Sequence, residues 1–77
     1  MPPEVLAIAH KHNTLGWAVI SSIHIELHYP TGDLATAAQT ELEAAGFEVL
    51  QGGSSTHSNT AHRVFVREVK ELTPNLF

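Results

Sequence analysis

A chain of 77 residues without cysteine can build neither a disulfide framework nor a thiolate metal site. At this length one core supplies only about 3–5 kcal/mol of stability, so the 43% hydrophobic residues must pack efficiently or the chain must associate, and association is the expectation. Eight carboxylates against four Lys and Arg give a formal charge of −4, which lacks the basic footprint of a nucleic-acid binder.

In chain order, residues 3–12 read as a short helix. Pro2 and Pro3 suit a helix start, Glu4 complements the positive end of the dipole, and His10, Lys11 and His12 complement the negative end, with Asn13 as the stop. The rival reading is a strand over Val5–Ala9 followed by a turn at 11–14. His10 and His12 are two apart, so on a helix they diverge by about 200° and cannot share an ion.

From Leu15 to Tyr29 the chain alternates. Odd positions carry Trp17, Val19, Ile23, Ile25, Leu27 and Tyr29; even positions are apolar at Ala18 and Ile20 and turn polar from Ser22. Such a stretch exceeds the usual five or six residues of a strand, so the spacing predicts one long strand with a bend or bulge near Ser21-Ser22. The parity of Trp17 assigns it to the core, and the first helix is the expected cover for Ala18 and Ile20. Pro30-Thr31-Gly32-Asp33 closes the strand, and Asp33 is the expected N-cap of a helix over Leu34–Ala45 with Leu34, Ala38, Leu42 and Ala45 on one stripe. Gly46 supplies its left-handed stop. Phe47–Gln51 reads as a second strand, Gly52–Thr60 as a mobile hairpin connection, and Ala61–Val69 as a third strand with Val64 and Val66 inward. Residues 70–77 form a tail that stays unpacked unless Leu72, Leu76 and Phe77 find a surface.

The order α-β-α-β-β defines a small α+β sandwich of two layers, a single domain over residues 1–77. A crossover through the second helix makes the first two strands parallel if they share a sheet, with the third antiparallel. The strand-helix-strand-strand run resembles half of a ferredoxin-like domain. The Ala-rich helix ending in Leu42-Glu43-Ala44-Ala45-Gly46-Phe47-Glu48-Val49 also loosely resembles regulatory or peptidoglycan-binding domains of that shape. The resemblance spans about 40 residues and holds no functional motif, so no function is carried over from it; the sheet is expected to be completed or covered by a second protomer.

The candidate site lies on the reverse of the predicted sheet, where Ser22, His24, Glu26 and His28 share one face. Imidazoles and a carboxylate are ordinary zinc ligands, but His24 and His28 stand roughly 13 Å apart along an extended chain; no metal or other cofactor is expected. The pentapeptide His24–His28 also distantly resembles the paired His-x-Thr/Ser-x-His motifs of two-histidine phosphoesterases. Glu26 stands where that family has a hydroxyl residue, and His57 and His62 are differently spaced, so no such activity is expected. The Gly52–Thr60 loop has neither the lysine nor the following helix of a phosphate cradle.

Arg63, Phe65 and Arg67 of the third strand fall on the same reverse face, within a basic cluster interleaved with Glu68 and Glu71. An aromatic and arginines on one surface are residue types enriched at protein contacts. His24, Glu26, His28, Arg63, Phe65 and Arg67 are therefore the candidate partner- or ligand-binding residues, with Glu26 placed to pair with an arginine. No nucleophile, base and orienting group stand together, so the balance leans away from an enzyme.

The longest wholly apolar run, around Trp17–Ile20, is far short of a spanning helix, and Met1-Pro2-Pro3-Glu4 has no basic n-region. No membrane partner is expected, and a cytoplasmic location is. The reading is a non-enzymatic interaction or regulatory module, a homodimer with a protein partner. The alternative is a ligand- or metal-binding module built on the histidine row.

Overall fold

The computed structural model describes residues 2–54 and 62–67. Six elements follow in order: α1 (Pro3–Lys11), β1 (Gly16–Ser21), β2 (His24–Tyr29), α2 (Gly32–Ala44), β3 (Glu48–Ser54) and β4 (His62–Arg67). They form a small α+β fold with one antiparallel sheet in the spatial order β1-β2-β4-β3. β4 runs antiparallel to both β2 and β3, so those two are parallel to each other but separated by it. The parallel pair joined through α2 is thus split by an inserted strand. No helix among the described residues is long and apolar enough to cross a membrane.

The largest departure from the sequence reading is at 15–29, where two strands and a tight turn replace one bent strand. Ser21 pairs with His24 across the two-residue turn Ser22-Ile23. A two-residue turn alone would pair odd positions with even ones. A register shift between Val19 and Ser21, around Ile20, restores odd-to-odd pairing, so Trp17 lies opposite Leu27 and Val19 opposite Ile25. The alternation therefore runs unbroken through the hairpin, which is why it reads as one strand. The Ser21 hydroxyl accepts the Ile23 backbone N–H at 3.3 Å within this turn.

α1 forms where expected. Pro2 caps it in extended geometry, and the chain leaves it through Asn13 at φ 59°. α2 begins two residues earlier than Leu34: the Thr31 hydroxyl, rather than Asp33, caps it by accepting the Leu34 N–H at 3.2 Å. Asp33 instead sits in the first turn, where its charge complements the dipole. Gly46 at φ 100° ends the helix in the left-handed region that favours glycine. β3 runs to Ser54, past the expected Gln51 and through the first three residues of the expected Gly52–Thr60 loop, while the rest of that loop and the expected tail lie outside the described residues.

Both helices pack on one side of the sheet. Val5 and Ala9 of α1 and Ala35, Ala38 and Leu42 of α2 meet Ile25, Leu27, Tyr29, Val49, Val64 and Val66. Leu34 is half-buried at the rim and Ala45 is exposed, so of the expected stripe Ala38 and Leu42 are buried, joined by Ala35, which the stripe did not include. Glu41 ties α2 to α1, taking Lys11 Nζ and His12 Nε2, each at 2.8 Å. The Tyr29 hydroxyl is buried without a hydrogen-bond partner among the described residues, and that burial pushes its pKa up to about 12.

Two expectations fail, the first because α1 lies in the same layer as α2. It does not cross to the other face, so Ala18 and Ile20 stay exposed. Nor does either helix roof β1, and Trp17, although on the helical side, is 46% exposed.

Candidate functional site

The sheet face away from the helices is built from the even positions of β2 and the odd positions of β4. Val64 and Val66 point into the core, which turns Arg63, Phe65 and Arg67 outward. Register aligns the two strands residue by residue: His24 opposite Arg67, Glu26 opposite Phe65, His28 opposite Arg63. All six sequence-predicted residues are thus neighbours on one surface.

Cross-strand pairing extends the rows to the flanking strands. Glu48 continues the His24–Arg67 row and Leu50 continues the Glu26–Phe65 row from β3, while Ala18 meets Glu26 from β1. Sequence reading assigned no role to Glu48 or Leu50. The parity of β3 carried the signal, because Val49 is the inward residue and its neighbours must face out. Ile20 joins them: a depression of about 340 Å³ is lined by Ile20, His24, Glu48, Leu50, Phe65 and Arg67.

The charges on this face are mostly paired with one another. Glu26 Oε2 lies 3.0 Å from His28 Nε2 and 3.4 Å from Arg63 Nη1. Arg67 Nη1 meets Glu48 Oε1 at 3.2 Å, with both side chains about half exposed. Arg63 also stacks over Phe65, its guanidinium carbon 5.6 Å from the ring centre, a geometry that favours the cation electrostatically. Gly52 provides room for that ring: a Cβ there would stand 2.9 Å from Phe65 Cε2.

Between these pairs the face is apolar, with Leu50 70% exposed and Ile20 51% exposed. His24 Nδ1 contacts Ser21 Oγ at 3.2 Å, but the same hydroxyl serves the turn, and among the described residues no third group orients the imidazole. No group of three His, Asp or Glu able to hold a metal ion occurs among the described residues. The face is thus apolar at its centre, with guanidinium and imidazole groups around it.

No family model, no curated protein and no solved structure matches the chain.

Proposed function

We propose that this chain is a small non-enzymatic interaction or regulatory module that works as a homodimer, using the open sheet face or an edge strand to bind protein. The observation that carries the reading is the open face, where Ile20, Leu50 and Phe65 are presented among the ion pairs Glu26–Arg63 and Arg67–Glu48. An apolar centre with a polar rim is the composition of a protein contact. Pairing the charges within the face lowers the cost of covering it, since each arginine already has a carboxylate partner. A partner could complete the strand-helix-strand-strand unit that resembles half of a ferredoxin-like domain.

The test is solution mass by light scattering across a dilution series, with and without zinc. A dimer that persists without metal supports the reading. A metal-free monomer that dimerises or gains thermal stability only with zinc overturns it and makes His24, Glu26 and His28 the residues to mutate.

A further inference from the structure

Among the described residues two surfaces lack a partner, the open face and the edge of the sheet at β1. Among those residues β1 pairs with β2 alone, and neither helix packs across it. Between His12 and His24 no residue carries a charge, and Leu15, Trp17, Val19, Ile20 and Ile23 are all between 38% and 61% exposed. Lysine, proline and an inward charge, which ordinarily blunt edge strands, are absent from β1, whose one such device is the bulge at Ile20 near its end. The opposite edge differs in chemistry: β3 carries Glu48, and its Gln51 donates to Thr36 Oγ1 and Gln39 Oε1 of α2 at 3.2 and 2.9 Å. The two edges of this sheet are therefore not equivalent.

Resting on the homodimer reading, we infer that β1 pairs antiparallel with β1 of a second copy, joining two sheets into one of eight strands about a two-fold axis through Ala18. The occupant is a second copy because a charge-free edge meets its own image without like-charge repulsion. Within the paired stretch Trp17, Val19 and Ile20 are each about half exposed, so the seam offers apolar cover to both copies.

Face parity sets the register. Odd positions of β1 point to the helical side, so a continuous sheet with both helical layers on one side pairs odd with odd. An axis through Ala18 engages Gly16 to Ile20 and sets Trp17 opposite Val19 of the partner subunit twice over, an aromatic to β-branched pairing that favours strands. An axis through Val19 would bring the irregularity at Ile20 into the centre of the pairing, and one through Trp17 would engage only three residues of the strand. In this arrangement the two open faces become one surface, still free for a different partner.

Because the chain has no cysteine, a single introduced thiol reports on proximity without background. Ala18→Cys places two thiols across the axis at a separation a disulfide can span, whereas Leu50→Cys, exposed on β3, does not. Under mild oxidation Ala18→Cys should become mostly covalent dimer at micromolar concentration while Leu50→Cys stays monomeric under denaturing electrophoresis. Val19→Lys should raise the dimer dissociation constant at least tenfold with an unchanged circular dichroism spectrum. Trp17, the one tryptophan, should shift its emission to the red on dilution of the unmodified chain. A Val19→Lys chain that remains dimeric, together with crosslinking through Leu50→Cys instead of Ala18→Cys, overturns the β1 assignment and leaves the homodimer reading standing. An unmodified chain that is monomeric at every concentration removes both.

Discussion

Leu27 and Leu50 offer the same chemical change on opposite sides of the sheet, and the structure assigns the two very different consequences. Leu27 is wholly buried in the middle of β2, between Trp17 and Val64 in register, while Leu50 is 70% exposed on β3. Truncating a fully buried leucine to alanine costs about 2–5 kcal/mol, through lost transfer energy and the cavity left behind. Complete burial of a leucine gains about 1.5–3 kcal/mol, so the less than one-third of Leu50 that is covered accounts for less than about 1 kcal/mol. At about 4–8 °C per kcal/mol for a domain of this size, Leu27→Ala should lower the midpoint of thermal unfolding by about 10 °C or more, and Leu50→Ala by less than about 8 °C. If Leu27→Ala fails to fold, Leu27→Val, with a cost near 1 kcal/mol, keeps the comparison measurable. The assay is thermal and urea denaturation followed by circular dichroism at two protein concentrations tenfold apart. An equally large loss for both leucines at both concentrations would refute the assignment of Leu50 to an open face. A loss at Leu50 that grows with dilution would instead locate it in an interface between copies.

Three smaller predictions come from the helices and from the packing of Phe65. Thr31→Ala removes the hydroxyl that caps α2 and should cost about 1 kcal/mol, read as a fall of about 4–8 °C in the unfolding midpoint; Asp33→Ala should cost less, since Asp33 does not cap. Hydrogen bonds from Lys11 and His12 hold the Glu41 carboxyl below its ordinary range. A carboxyl depressed by folding contributes stability above its unfolded pKa and loses it as the pH falls through the folded value, so the advantage over Glu41→Gln should be present near neutrality and close in acid. A gap that widens in acid would contradict this, and urea midpoints across a pH series measure it. Gly52→Ala brings a methyl against the Phe65 ring, so the aromatic resonances of Phe65 should move while the unfolding midpoint changes by less than about 8 °C.

The parts of the fold that read correctly from sequence are those in which one physical signal dominated. The β4 alternation is short and clean, so the inward Val64 and Val66 and the outward Arg63, Phe65 and Arg67 follow directly. For α2, the Ala-rich stripe and Gly46 placed the element, but Thr31 and Asp33 are both good capping residues two positions apart, and composition does not choose between them. The hairpin at Ser22-Ile23 was hidden because two irregularities cancel. The turn shifts parity by one and the bulge at Ile20 shifts it back. Burial of Trp17 was misjudged because parity reports a side of the sheet and not whether a helix reaches that far along it. Leu50 carried a legible parity but no chemical mark, since an exposed leucine resembles any core leucine until the strand order is known.

The placement of charge separates the edge arrangement from a face-to-face one. Among the described residues the helical layer carries Glu4, Asp33, Glu41 and Glu43 against Lys11, the open face carries Glu26 and Glu48 against Arg63 and Arg67, and β1 carries none. The excess negative charge of these segments thus sits on the helices, away from both candidate contact surfaces. If two copies join edge to edge, their helical layers lie side by side and repel weakly, and no ion pair forms at the seam. Salt screens that repulsion over a Debye length of about 10 Å at 0.1 M, so raising it from about 0.05 to 0.5 M should leave the dimer equally stable or tighten it slightly. Two copies meeting through their open faces would bring Arg67 and Glu48 of each into the contact, and the same salt increase should loosen them. Dissociation constants from sedimentation across that range decide it, and a several-fold weakening with salt would move the interface from β1 to the face bearing Phe65.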